Sequence, residues 1–212
     1  MGSRKWEVGS GKWEVGSGKW EVGSRGAWTA ADWESAWAPC DEATYVDALA
    51  LLRPDDVVLD IGAGDLRLAR RMAQQCRQVI ALERQAAVLV RAGSTPPPAN
   101  LTAICADALT WPLPAGITTA VLLMRHCTHL AAYADRLRRA GCRHLITNAR
   151  WRLGVELIEL AAGVPWNSVA GGWYACRCGA VGFKPLPAAG LTAALLQQTA
   201  EVLDCPACRA SD

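Results

Sequence analysis

The sequence predicts an α/β protein with a doubly wound, mostly parallel sheet and a small cysteine-rich element at its C-terminal end. Short apolar runs alternate with helical segments between residues 57 and 151, which is typical of a parallel sheet covered on both faces. Glycines follow the first apolar run, and two close cysteine pairs lie beyond residue 170. We therefore divide the chain into a repeat tail (1–25), an α/β domain (26–165) and a cysteine element (166–212).

Composition places the chain among globular proteins. Its 212 residues are 51% hydrophobic and 20% charged, so it can bury a large core and is not disordered throughout. The net charge of +2 arises within the first 25 residues, and the neutral remainder argues against non-specific nucleic-acid binding. No apolar run approaches the roughly 18 residues of a membrane span. Nine cysteines without an apparent export signal predict a cytoplasmic protein with no membrane partner.

The tail consists of a seven-residue repeat. Residues 5–11 and 12–18 both read KWEVGSG, and residues 19–25 read KWEVGSR. Each Gly costs a helix about 1 kcal/mol relative to Ala, so we expect a disordered tail rather than a coiled coil. A ligand motif displayed three times for avidity and an engineered tag are the alternatives. The roughly helical spacing of Trp28, Trp33 and Trp37 predicts aromatics that seal the core edge or cover a ligand mouth.

The α/β domain is predicted to begin with an amphipathic helix over 41–52, which is followed by Pro54. Three prolines at 96–98 predict a loop, and Gly141 predicts a helix end. The predicted strands of the domain are 57–63, 78–84, 101–109, 117–124 and 142–151, and the predicted helices between them are 66–75, 85–92 and 129–141. Beyond them we expect a strand at 155–160, a hairpin at 171–183 and a helix at 191–203.

The end of the first predicted strand and the turn that follows it read DIGAGD (60–65). The two glycines permit a sharp turn and a close approach of the backbone to a ligand. Arg67 occupies the place of the third glycine that a dinucleotide loop needs near a pyrophosphate, which argues against NAD and FAD. No Gly-Lys-Ser/Thr follows, which excludes a P-loop. Glu83 ends the second predicted strand, and Asp107 with Ala108 ends the third.

These residues resemble the first motif of class I S-adenosylmethionine-dependent methyltransferases, in which an acidic residue, one further residue and Gly-x-Gly close the first strand. The resemblance covers about residues 41–151. It implies that Asp60 lies near the methionine end of the cofactor, that Glu83 accepts protons from the ribose hydroxyls and that Asp107 lies near the adenine amino group. The cofactor-binding residues that it implies are Asp60, Gly62, Gly64, Asp65, Glu83, Asp107 and Ala108.

Acceptor chemistry in this family concentrates at the end of the fourth strand, which here reads MRHCTH (124–129). The Asn/Asp-Pro-Pro-aromatic motif of amino-nitrogen methylation is absent, and Cys127 lacks the preceding proline of the cytosine-5 enzymes. His126 and His129 are candidate general bases, and packing or capping of the next helix is their alternative role. The candidate substrate residues are Arg125, Asn148 and Trp151.

Two close cysteine pairs lie near the C-terminal end, Cys176 with Cys178 and Cys205 with Cys208, separated by 26 residues. Four thiolates at this spacing predict a zinc-ribbon-like element with one structural zinc ion, although the first pair has one intervening residue rather than two. Free thiols, or a redox dithiol at the second pair, are the alternatives. The other five cysteines lie in or beside apolar segments and are predicted to be core residues.

The resemblance thus predicts an enzyme that transfers a methyl group from S-adenosylmethionine to an acceptor, with zinc in a structural role. RNA, a protein or a small molecule all stay open as the acceptor and partner. The alternative is a non-catalytic adaptor in which the methyltransferase fold, the zinc element and the tryptophan-rich tail bind partners.

Overall fold

The computed structural model describes residues 13–15, 18–20, 39–92, 96–125, 127–150 and 153–209. In the repeat tail, β1 (Trp13–Val15) pairs antiparallel with β2 (Gly18–Trp20). The three tryptophans at positions 28, 33 and 37 lie outside the described residues. The division of the chain into three parts, with a disordered tail, stays a prediction.

The α/β domain contains a single six-stranded sheet within the described residues. Its elements in chain order are α1 (Glu42–Ala50), β3 (Val57–Ile61), α2 (Arg67–Ala73), β4 (Gln78–Glu83), α3 (Ala86–Leu89), β5 (Leu101–Cys105), β6 (Thr119–Leu122), α4 (Leu130–Arg139), β7 (His144–Thr147) and β8 (Glu156–Glu159). The spatial order is β5-β4-β3-β6-β7-β8, and β8 alone runs antiparallel to its neighbour. The predicted α/β fold with a mostly parallel sheet is therefore confirmed.

Both faces of this sheet are buried, which explains the uninterrupted apolar runs in the sequence. Neighbouring residues on a strand point to opposite faces. Leu59 packs with α4 in one apolar cluster, whereas Val58 packs with α1 and α2 in the other. The chain leaves β3 first towards β4 and later returns to its other side at β6. A ligand crevice is therefore expected at the carboxyl ends of β3 and β6.

The cysteine module, as we call residues 164–209, forms a separate three-stranded sheet. It comprises β9 (Gly172–Cys176), β10 (Val181–Lys184), α5 (Ala193–Gln197), β11 (Thr199–Val202) and α6 (Pro206–Arg209). The strand order is β10-β9-β11, and β9 with β10 forms the predicted hairpin. Among the described residues, no helix has both the length and the apolar character that crossing a membrane requires.

The single helix expected over 191–203 is wrong. Thr192 caps α5 by accepting a hydrogen bond from Leu195 N at 3.2 Å, but the chain is extended again from Gln198. β11 then pairs parallel with β9, and Val202 is fully buried in the small core around the cysteines. Pairing with a distant strand and burial of a β-branched residue outweigh the local helical tendency.

Candidate active site and cysteine cluster

The loop between β3 and α2 is a tight turn fixed to β4. Gly62 N and Ala63 N both donate hydrogen bonds to Leu82 O at 2.9 Å. Gly62 has a φ of +75° and Gly64 a φ of +57°, a region that glycine adopts without steric cost. A Cβ on Gly62 would lie 3.3 Å from Met124 Sδ, so glycine also allows the loop to approach the chain just after β6.

Two features of this loop could not be read from the sequence. Leu66, the residue before α2, has a φ of +65°, a strained conformation for a residue with a side chain. Asp65 Oδ1 accepts hydrogen bonds from Arg67 N at 3.3 Å and from Arg67 Nε at 2.9 Å. Burial alone would raise the pKa of Asp65, but the bonds from Arg67 bring it below its ordinary value.

Two buried carboxylates lie at the carboxyl ends of β3 and β4. Glu83 is 5% exposed, and its Oε2 and Oε1 accept hydrogen bonds from Gly64 N at 3.0 Å and Gln85 N at 2.7 Å. Asp60 is 3% exposed, and its Oδ2 has no hydrogen-bond partner in the described part of the chain. Burial, and then repulsion from Glu83, raise the pKa of Asp60 to about 7. This pair of acids would favour a cationic ligand.

Asp107 and Ala108 lie just beyond β5 and not on it, because the strand ends at Cys105. Asp107 Oδ1 accepts from Leu109 N at 2.8 Å, which holds the chain in a turn. Ala108 is buried in the same apolar cluster as Leu59. Since β5, β4 and β3 are parallel neighbours, the acidic residues at or just beyond the ends of all three strands lie along one edge of the sheet.

The candidate acceptor residues follow β6 and β7. Arg125 is exposed, and His129 is exposed at the residue immediately before α4, where its carbonyl oxygen accepts from Tyr133 N at 3.0 Å. Asn148 is 4% exposed, and its Oδ1 has no hydrogen-bond partner among the described residues. His126 and Trp151 lie outside the described residues.

Cys40 joins this edge of the sheet although the sequence predicted a core residue. Its thiol donates to Leu123 O at 3.5 Å, and burial raises its pKa, with Arg125, Asn148 and Asp60 among the groups that act on it. Cys40 therefore lies where the carboxyl ends of β3, β6 and β7 meet. The core prediction holds for the buried Cys76 and Cys142, is wrong for the exposed Cys105, and holds only partly for Cys40 and Cys127, which are half-buried.

The four C-terminal cysteines form one cluster. The Sγ atoms of Cys176 and Cys208 are 3.6 Å apart, those of Cys178 and Cys205 are 3.6 Å apart, and those of Cys205 and Cys208 are 3.9 Å apart. All four sulfurs lie within 4.8 Å of one another. Tetrahedral sulfurs at about 2.3 Å from zinc would be about 3.8 Å apart, whereas a disulfide is about 2.05 Å long. The donor set and its geometry therefore fit a zinc ion.

Tight turns position the two cysteine pairs. Cys176 N donates to Ala180 O at 2.8 Å, and Gly179 N donates to Cys176 O at 2.9 Å. Gly179 has a φ of +99°, which explains a glycine directly after the first pair. In the second pair, Cys208 N donates to Cys205 O at 3.0 Å. Because Cys176 and Cys205 are fully buried, the cluster is part of the module's core.

Residues 58–146, which run from within β3 to within β7, match the family model described as methyltransferase domain. The matched region lies within the mixed α/β part of the chain, and the cysteine cluster lies beyond it. No curated protein matches the chain.

Solved structures similar to this chain include several methyltransferases. An S-adenosylmethionine-dependent methyltransferase from Mesorhizobium loti shares 20% identity over 50% of this chain and 53% of its own, with a TM-score of 0.43. The YcgJ protein from Bacillus subtilis shares 16% identity over 50% and 49%, with a TM-score of 0.42. Precorrin 8w decarboxylase from Methanobacterium thermoautotrophicum shares 22% identity over 54% and 66%, with a TM-score of 0.42. This chain thus covers about half to two thirds of their lengths.

Proposed function

We propose that this chain binds S-adenosylmethionine at the carboxyl ends of β3, β4 and β5 and transfers its methyl group to an acceptor held after β6 and β7. The observation that carries the proposal is Asp60 Oδ2, a buried carboxylate oxygen beside Glu83 that has no hydrogen-bond partner among the residues that the structure describes. A buried charge without a partner is costly. S-adenosylmethionine offers both an ammonium and a sulfonium charge, which would compensate two acids at this turn.

The glycine turn and the strand ends bind different parts of this ligand. The backbone at Gly62 and Gly64 packs against the sugar and amino acid parts, and Asp65 shapes the turn through Arg67. Each oxygen of Glu83 accepts one backbone N–H, and a carboxylate has about four acceptor positions. Glu83 can therefore still accept from two ribose hydroxyls. Asp107 and Ala108 face the adenine.

S-adenosylmethionine supplies a methyl group on a sulfonium that is already a good leaving group. The chain needs to align the acceptor nucleophile and exclude water from it. His126 and His129 take up the proton that the acceptor loses, and Arg125 holds an anionic part of the acceptor. Asn148 and Trp151 line the acceptor's binding site. The acceptor class stays open among RNA, protein and small molecule.

We also propose that Cys176, Cys178, Cys205 and Cys208 bind a structural zinc ion. Four thiolates complete a tetrahedral shell and leave no open position for a substrate or water. Reduced thiols of this kind persist in a reducing compartment, so we place the protein in the cytoplasm.

Calorimetric titration of reduced, zinc-loaded protein with S-adenosylhomocysteine tests the cofactor site. The variants are Asp60→Ala and Glu83→Gln, and Asp55→Asn is the control because Asp55 is exposed at the opposite end of β3. We expect micromolar binding by the wild type and the control. Loss of a charge-assisted interaction of about 1.5–3 kcal/mol predicts binding about 10- to 100-fold weaker in the two variants.

Absence of binding by the folded wild type would contradict the cofactor proposal and would leave the adaptor function. When binding is found, labelled cofactor and cell extract treated with nuclease, protease or a size filter will identify the acceptor class. An adaptor would label no fraction.

A further inference from the structure

A buried arginine joins the cysteine module to the sheet at the acceptor edge. Arg150 lies three residues beyond β7 and is 2% exposed. Its Nη1 donates to both carboxylate oxygens of Glu201, at 2.8 and 2.9 Å. Its Nε lies 2.8 Å from Glu156 Oε1 on β8. Burial raises the pKa of both glutamates while Arg150 opposes the rise, so the guanidinium is what favours their charged forms.

The module also lies close to the start of α4. A Cβ on Gly179, in the first cysteine turn, would lie 3.8 Å from Leu130 Cδ2. Arg177, between the first two cysteines, donates from its Nε to Leu203 O at 3.3 Å. Since α4 begins directly after His129, the cysteine turn borders the segment that carries the candidate bases.

The end of β7 is held from two sides. Thr147 Oγ1 donates to Leu122 O of β6 at 2.7 Å and accepts from Ala149 N at 3.1 Å. Arg150 fixes the other side through Glu201. Asn148, whose Oδ1 has no partner in the described part of the chain, lies between these two attachments.

We propose that Arg150 is a positioning residue through which metal occupancy of the cysteine cluster controls the cofactor and acceptor edge. Glu201 lies on β11 directly before Val202, whose register partner is the ligand Cys176. A metal ion that ties Cys176 to Cys205 restrains β9 and the chain after β11, and so holds the Glu201 carboxylate against Arg150. Without the metal, Glu201 can move away, and a buried guanidinium that loses a partner destabilises its surroundings.

The coupling between the zinc site and the cofactor site rests on the proposed function, whereas the effect of zinc on the end of β7 does not. Coupling between two binding sites is reciprocal, and typical values correspond to about 5- to 150-fold in affinity. We expect zinc to strengthen the binding of S-adenosylhomocysteine about tenfold, and S-adenosylhomocysteine to strengthen the binding of zinc by the same factor.

The test compares the reduced full chain with zinc and after chelation. Hydrogen exchange of the backbone amides at residues 147–150 is the first measurement, and calorimetry with S-adenosylhomocysteine is the second. In the wild type, chelation is expected to accelerate exchange at 147–150 about tenfold and to weaken ligand binding about tenfold. In Glu201→Gln, which keeps all four cysteines, zinc still binds but its removal changes neither quantity. Glu159→Gln, an exposed position on β8, retains both effects.

Three results would overturn the proposal. The first is wild-type exchange at 147–150 that does not respond to chelation. The second is an undiminished zinc effect in Glu201→Gln, or in Arg150→Lys if the first variant does not fold, because lysine keeps the charge but has one nitrogen where Arg150 uses Nη1 for Glu201 and Nε for Glu156. The third is that chelation accelerates amide exchange in β3 as much as at 147–150, which would mean that the whole domain opens. If exchange responds as expected but S-adenosylhomocysteine does not bind, the coupling is supported and the cofactor proposal alone fails.

Discussion

Replacing Asp60 by Asn is expected to stabilise the ligand-free protein while it weakens cofactor binding. Burial and Glu83 raise the pKa of Asp60 from 3.8 to about 7. A carboxyl group whose pKa is higher in the folded state favours folding fully below the unfolded pKa and loses that contribution as the pH rises to the folded pKa. At about 1.4 kcal/mol for each tenfold change in proton affinity, ionisation of Asp60 at pH 8 costs the folded protein about 4 kcal/mol.

Urea denaturation of the reduced, zinc-loaded protein at pH 5 and pH 8 measures this effect. Asparagine is similar in shape to the protonated acid and does not ionise. The stability advantage of Asp60→Asn over the wild type should therefore grow by about 3 kcal/mol between the two pH values. An advantage that does not change with pH would refute the reasoning, because it would mean that the Asp60 carboxylate is compensated in the folded protein.

Asp56 provides a matched control at the other end of β3, since it is also buried but fully hydrogen-bonded. Its Oδ1 accepts from Thr118 Oγ1 at 2.6 Å and Thr119 Oγ1 at 2.9 Å, and its Oδ2 accepts from Arg53 N at 2.8 Å. Burial would raise the pKa of Asp56, but these bonds bring it below the ordinary value. In Asp56→Asn the side-chain NH2 group would face hydrogen-bond donors in place of an acceptor oxygen. The substitution should therefore destabilise the protein at pH 8 by about 1.5–3 kcal/mol.

Three further predictions concern the ligand, the metal and the glycine turn. Binding of S-adenosylhomocysteine should release a proton from Asp60, so its Kd should rise up to about tenfold per pH unit below pH 7 in the wild type and stay constant in Asp60→Asn. Cys205→Ser should lose zinc, measured by atomic absorption, whereas Cys105→Ser, outside the cluster, should retain it. Gly62→Ala and Gly116→Ala both place a side chain at positive φ, at a cost of about 1–2 kcal/mol in urea denaturation. Only Gly62→Ala should also weaken ligand binding, since the space at Gly116 is open.

The sheet could be predicted from the sequence because its strands are buried on both faces. Continuous apolar runs mark β3 and β6, and each structural strand falls inside the predicted run, although the runs at 101–109 and 117–124 extend past the strand ends. The segment 191–203 could not be predicted, because its strand exists only through pairing with β9. That pairing depends on the cysteine core, which brings together segments about 25 residues apart.

The acidic residues of the candidate site could be predicted for a different reason. The carboxyl ends of parallel strands lie at one edge of a sheet, so a position at or just beyond each strand end is enough to bring Asp60, Glu83 and Asp107 to that edge. Cys40 could not be predicted, because it precedes α1 and reaches the site only through the path of the chain before that helix. The attachment that Arg150 makes could not be predicted, because its partner Glu201 lies 51 residues further along the chain. Cys105 is exposed because β5 is an edge strand.

The unsatisfied groups and the proposed zinc site have complementary energetic roles. Asp60 Oδ2 and Asn148 Oδ1 are both buried without partners in the described chain, and Leu66 is strained. Such features reduce stability and persist where function requires them. Zinc that binds the folded state alone adds its binding free energy to folding. Arg150 attaches the cysteine module two residues from Asn148, so the stabilisation by zinc acts next to the sheet edge that carries the unsatisfied groups. Loss of zinc should therefore impair the site before the sheet unfolds.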